Sequence, residues 1–169
     1  LILQHGLSLA GAAMLVFAMN LSSSIVQPLF GHWSDRRSTS WMIPVALVCA
    51  TLGTVGICFS ETFWQMMLCA FFAGAGVAAF HPEGSRFSKY FAGRKMASGM
   101  SWFTVGGYGG LAFGPMVTAP LLLIFGLHGA ALMLIPSVVM AIVIGTQLPY
   151  YERLRAHMHR RRHDGYGTD

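Results

Sequence analysis

The sequence predicts an all-α membrane protein, a helical bundle of five transmembrane helices. Three observations carry that expectation. Only 10% of the 169 residues are charged, while 54% are apolar and the mean hydropathy is +0.57. Charged residues are confined to short segments between long uncharged stretches. All 11 Lys and Arg fall on alternate connections between those stretches. A soluble domain carries about 25% charged residues, so composition alone excludes a water-soluble globular domain and a disordered chain. The net charge of +5 is not the footprint of a nucleic-acid partner, because it sits in loops flanking apolar runs.

The crossings follow from the gaps between charges. Residues 1–34, 38–60, 62–82 and 96–151 contain no Asp, Glu, Lys or Arg. A helix needs roughly 20 apolar residues to span the hydrocarbon core. Three stretches therefore hold one crossing each. The longest holds two, with Gly126-Leu127-His128-Gly129 as the turn. The expected crossings lie near 9–30, 41–60, 62–82, 100–125 and 127–148, forming a transmembrane unit over 1–148. Residues 149–169 are expected to be a basic cytoplasmic tail, disordered beyond 152, or the start of a central loop. Buried helices of a soluble protein would show polar outer faces, and these stretches have none.

Orientation follows from the basic residues. Arg36, Arg37, Arg86, Lys89, Arg94, Lys95, Arg153, Arg155, Arg160, Arg161 and Arg162 all lie on one set of connections. The other set offers only Glu61 and His128 besides neutral residues. Basic loops remain cytoplasmic during insertion, so residue 1 is expected outside and residue 169 inside, in a plasma or bacterial inner membrane. Trp33, Trp41, Trp64, Trp102, Tyr150 and Tyr151 fall near the boundaries, where amphipathic rings favour the headgroup level. Cys49, Cys58 and Cys69 lie inside crossings and read as small apolar packing residues. His157, His159 and His163 alternate with arginines in the tail, which suits an anionic lipid surface better than a metal. No metal site, cofactor or catalytic residue is expected.

Polar and small residues within the crossings mark the candidate sites. Asn20, Ser24 and Gln27 share one face of the first crossing, and Asn20 sits near mid-membrane. A polar group at that depth faces a wet cavity or bonds a neighbouring helix. Gly106, Gly110 and Gly114 recur every four residues, and four residues turn a helix by about 400°. They line one face that admits close helix approach or, with Pro115 freeing the carbonyl of Leu111, a bend. Gly53 with Gly56, and Gly74 with Gly76 and Ala78, form smaller faces of the same kind. His81 can change charge near neutral pH, and Glu83, two residues on, could hold or hand over a proton. Pro82 breaking the helix before a solvated Glu83 is the alternative. Asp35 is an acid on a strongly basic side, able to cap a helix or pair with Arg36.

These pieces resemble a known family. The loop Gly31-His32-Trp33-Ser34-Asp35-Arg36 resembles the Gly-x-x-x-Asp-Arg loop between the second and third helices of the major facilitator superfamily. Gly110-Leu111-Ala112-Phe113-Gly114-Pro115 resembles the Gly-x-x-x-Gly-Pro motif in the fifth helix of its drug–proton antiporters. Ser22 to Gly31, Ala79-Phe80-His81-Pro82-Glu83-Gly84 and Gly106-Gly107-Tyr108-Gly109-Gly110 look like its fosmidomycin-resistance branch. The resemblance covers roughly residues 7–148. It implies that the five crossings are helices two to six of a twelve-helix fold, a partial N-terminal half whose first helix and second half lie outside this chain. It further implies export of a small molecule by alternating access, usually against proton entry. The sequence departs from the family at three places. Ser38, Thr39 and Ser40 replace a glycine and further basic residues, Ala70 stands where many antiporters carry an arginine, and Val117 and Thr118 replace a double glycine.

The expected function is thus secondary active transport, most concretely proton-coupled efflux of a small molecule or drug. Protons and the small-molecule substrate are the expected partners within the lipid bilayer. His81 and Glu83 would couple protons or substrate. Asn20, Ser24 and Gln27 would line the cavity. Gly31, Asp35 and Arg36 would form a conformational latch, and Gly106, Gly110, Gly114 and Pro115 would allow packing and a kink. A facilitator importing an organic anion or sugar is the rival from the same class. An intramembrane enzyme would need a nucleophile or metal set beyond His81 and Glu83, and a static scaffold would not need so many glycines or Asn20.

Overall fold

The computed structural model describes residues 6–36 and 39–164; the side chains of Asp35 and of residues 157–164 lie outside that description. Five long helices and one short one account for most of the chain. They are α1 (Leu9–Arg36), α2 (Met42–Phe59), α3 (Phe63–Ala92), α4 (Met96–Phe125), the four-residue α5 (His128–Ala131) and α6 (Leu134–Asp164). By length and hydropathy, four helical runs suffice to cross a membrane, one of them the 63-residue stretch Phe63–Phe125. At 1.5 Å per residue that stretch would span about 95 Å, three hydrocarbon thicknesses. It is two helices, divided by a 3-10 turn at Gly93–Lys95 where Gly93 takes φ 54°.

Local chemistry explains the ends. Thr62 caps α3 by accepting from the Gln65 backbone N–H, while the Gln65 side chain accepts from the Thr62 N–H. This reciprocal pair satisfies orphan donors at the helix start. Gly126 ends α4 with φ 60°, a left-handed value that favours glycine. The following turn is tight: a Cβ on Gly129 would lie 2.2 Å from the Leu121 carbonyl oxygen.

Three helices run further than the sequence suggests. α1 continues through Gly31–Arg36, the segment expected as a loop. α3 does not break at Pro82 but continues to Ala92. Proline removes one backbone donor, yet Ala78, Ala79, Glu83 and Gly84 on either side of it are all buried, so packing holds the helix through the defect. Of the tail expected to be disordered, residues 152–164 are helical. α6 passes Pro149 and continues to Asp164, its extension docked through Tyr151, which is fully buried.

α3 is the centre of the bundle, packed along α1 on one side and α2 on the other. The middle of its buried face is small: Ala70, Ala73 and Ala78 are inaccessible. The seams are backbone against backbone. A Cβ on Gly74 would meet the Met19 carbonyl oxygen at 2.2 Å. One on Gly53 would meet the Ala73 nitrogen at 2.6 Å, and one on Gly76 the Ala50 nitrogen at 2.5 Å. The Ser22 hydroxyl crosses the first seam to the Phe71 carbonyl at 2.8 Å. α6 leans on α2, where the Thr51 and Ser137 hydroxyls lie 2.8 Å apart. Large apolar side chains point outward instead, among them Leu123, Trp102 and Leu68, the reverse of a water-soluble core and the arrangement a bilayer accommodates.

Candidate functional site

The polar centre of the molecule forms around Glu83. Because α3 continues past Pro82, Glu83 falls on the buried face of the helix and is wholly inaccessible. Its Oε1 accepts from the Ser34 hydroxyl at the end of α1, from the Thr39 hydroxyl at 2.8 Å in the α1–α2 connection, and from Arg86 Nη1 at 3.3 Å one turn along α3. Arg86 Nη1 also donates to the Ser34 oxygen at 2.6 Å, so α1, the connection and α3 close around one carboxylate oxygen. Arg155 on α6 adds a second positive charge acting on the same group. A buried carboxylate is tolerated when it is hydrogen-bonded and charge-compensated in this way.

The other oxygen is different. Glu83 Oε2 and the Tyr151 hydroxyl are both buried and neither makes a hydrogen bond, although Tyr151 lies close enough to act on the carboxyl. The Tyr151 ring is held by Phe87 at 5.0 Å, Tyr90 edge-on at 5.7 Å and Phe91 stacked at 6.5 Å between ring centres. One residue on, Glu152 accepts from the Ser40 hydroxyl at 2.7 Å. The cluster therefore ties α1, the α1–α2 connection, α3 and the α6 extension together at one end of the bundle.

His81 is not part of this cluster. Two residues along a helix is a rotation of about 200°, and His81 is exposed, edge-on to Phe80 at 6.1 Å. It faces an open groove of about 700 Å³ between α3 and α4, lined also by Trp102, Phe103, Thr104, Gly106 and Tyr108. The direct handover of a proton between His81 and Glu83 that their spacing suggests is therefore not what the geometry arranges.

The remaining sequence candidates are distributed as follows. Asn20, Ser24 and Gln27 are exposed on α1, and the Asn20 amide turns back to the Val16 carbonyl of its own helix at 2.9 Å. On this stretch of α1 the Ser22 hydroxyl bonds across to α3 instead. Gly31 has open space around it, and Arg36 is exposed; the Asp35 side chain lies outside the described residues. Among the described side chains of this segment, Ser34 and Thr39 hydrogen-bond to α3. Gly106, Gly110 and Gly114 have no atom within 4 Å of the Cβ each lacks, and Pro115 continues within α4. Among the described residues, close helix approaches use Gly53, Gly74 and Gly76, and also Gly56 against Cys69 and Gly99 against Ser88 and Ala92. The tail histidines 157, 159 and 163 fall among the undescribed side chains. No group of three His, Cys, Asp or Glu able to hold a metal occurs among the described residues.

Sequence reasoning missed Ser34, Thr39, Arg86, Tyr151 and Arg155 as partners of Glu83. Thr39 stood out only as a departure from a family pattern, and Tyr151 only as an interface aromatic. Glu83 itself, an acid directly following the uncharged stretch 62–82, was the one available signal that donors must converge there.

Comparisons with known proteins accord with this architecture. The chain is 38% identical over 131 residues to the uncharacterized MFS-type transporter YfnC of Bacillus subtilis, covering 76% of this chain and 32% of that protein. It is 28% identical over 145 residues to the fosmidomycin resistance protein of Escherichia coli, covering 86% and 36%. It is 20% identical over 139 residues to the MFS-type transporter YwoD of Bacillus subtilis, covering 82% and 31%. The chain thus spans about a third of the length of these relatives. No solved structure matches it. Residues 1–162 match the family model of the Major Facilitator Superfamily, and the chain accordingly belongs to the Major Facilitator Superfamily.

Proposed function

We propose that this chain is part of a secondary transporter that exports a small molecule by alternating access, driven by proton entry. The observation that carries the reading is Glu83, a buried carboxyl gripped by α1, the α1–α2 connection and α3 at once. A carboxyl so placed links a change of protonation to the relative position of the helices that hold it. The fosmidomycin resistance protein, as its name states, confers resistance to a small molecule, and similarity to it supports export.

In this reading Glu83 and His81 serve coupling from opposite faces of α3, Glu83 at the helix junction and His81 on the α3–α4 groove. Asn20, Ser24 and Gln27 line the central cavity. The latch comprises Gly31, Asp35 and Arg36 together with Ser34 and Thr39. Gly106, Gly110, Gly114 and Pro115 offer a face for helices contributed from outside this chain. The protein resides in the bacterial inner membrane with its basic connections cytoplasmic, which the concentration of Lys and Arg on one set of connections supports. The full-length transporter in everted vesicles tests the reading: imposing a pH gradient should drive substrate accumulation, and Glu83→Gln or His81→Ala should abolish it without loss of insertion. Transport indifferent to the pH gradient would overturn proton coupling. Movement only in the opposite direction would favour a facilitator-type importer.

A further inference from the structure

Glu83 uses its two oxygens unequally. Oε1 receives three donors, whereas Oε2 is buried with none. The Tyr151 hydroxyl, brought from α6, is also buried and also without a partner. Each such orphan is unfavourable, and two of them side by side can be relieved by a single hydrogen bond. An ionised Glu83 would accept at Oε2 from the Tyr151 O–H. A protonated Glu83 would donate its Oε2–H to the Tyr151 oxygen. The hydroxyl, donor and acceptor in one group, therefore fits either state of the carboxyl. It lets a proton arrive or leave while Glu83 stays packed.

We propose that Tyr151 is the positioning residue for a proton on Glu83, the two forming one buried proton-sharing pair between α3 and the α6 extension. This rests on the reading of Glu83 as a coupling group and identifies what holds its proton. The groups facing the pair are Ser34 from α1, Thr39 from the connection, Arg86 and Tyr90 from α3, and Arg155 from α6. Arg86 and Arg155 both favour the ionised form, and so does donation from Tyr151. A hydrogen bond to an ionised group is roughly twice as strong as one between neutral groups, so the hydroxyl stabilises carboxylate more than carboxylic acid. Its removal should shift the titration of Glu83 upward by about one pH unit, a tenfold change in proton affinity. The aromatic packing around the ring is unchanged by that removal.

The test is infrared titration of purified full-length protein, with the carboxylic-acid C=O band of Glu83 identified by its loss in Glu83→Gln. Tyr151→Phe should move the band's midpoint upward by about one pH unit, while Tyr90→Phe leaves it in place. Should Tyr151→Phe not fold, protein labelled throughout with 3-fluorotyrosine, a stronger donor, should move the midpoint downward. An unmoved midpoint in either protein would overturn the proposal. Vesicle transport measured in parallel keeps the two readings apart. A shifted midpoint with transport blind to pH would leave the pair standing and remove proton coupling from the function.

Discussion

Gly74→Ala tests whether the bundle is built on backbone contact between α1 and α3. The new methyl carbon would lie 2.2 Å from the Met19 carbonyl oxygen and 2.9 Å from the Ser22 Cβ, whereas ordinary contact begins at 3.4 Å. A carbonyl cannot rotate away as a side chain end can, so the helices must separate locally by about 1 Å, the shortfall between these distances. That overpacking typically costs about 1–3 kcal/mol. The same movement stretches the 2.8 Å bond from Ser22 to the Phe71 carbonyl out of hydrogen-bonding range, adding about 1 kcal/mol. The expected loss is thus about 2–4 kcal/mol. Gly145→Ala on α6 meets nothing within 4 Å and should be neutral or stabilising by up to about 1 kcal/mol through helix propensity. Thermal denaturation of the two full-length variants, followed as the monodisperse fraction in detergent, makes the comparison. Gly74→Ala as stable as Gly145→Ala would refute the packing argument.

Two further outcomes are expected. Removing the Thr51 and Ser137 hydroxyls singly and together should give a coupling energy of about 0.5–1 kcal/mol in a double-mutant cycle of stability, since the two lie 2.8 Å apart between α2 and α6; additive losses would show that the contact carries no energy. A cysteine at the exposed Lys95, in a cysteine-free full-length background, should react with membrane-impermeant maleimide only after the cytoplasmic face is opened, and labelling of intact cells would invert the orientation.

Much of the architecture was legible in charge placement. A stretch without Asp, Glu, Lys or Arg records where hydrocarbon lies, because burying a charge there is costly. It records nothing about where a helix ends. Hence α3 passes Pro82 to Ala92 and α6 passes Tyr151 to Asp164, both in segments whose charges mark only the edge of the bilayer. Gly53, Gly74 and Gly76 were legible as close-contact faces because spacing fixes which residues share a side of a helix. Their partners were not, since Met19, Ala50 and Ala73 carry no distinguishing chemistry. Glu83 could be singled out as an acid at a helix end, but Ser34 and Thr39 lie 49 and 44 positions away in sequence, and only the tertiary fold brings them to it. For Gly106, Gly110 and Gly114 the spacing was legible too, but among the described residues no atom lies within 4 Å of the Cβ each lacks.

The glycine seams carry a mechanical consequence. Where main chains touch directly, no rotamers exist to take up a displacement, so a push on the tip of α1 passes through α3 into α2 undiminished, and the three helices turn as one block. α4 joins that block near its beginning, where Ser88 binds the Gly99 carbonyl and Phe80 stacks on Phe103. Its far end is tied back through the tight turn at Gly129 against Leu121 and through His128, which meets Phe59 of α2, so its exposed middle is carried like a beam resting on two piers.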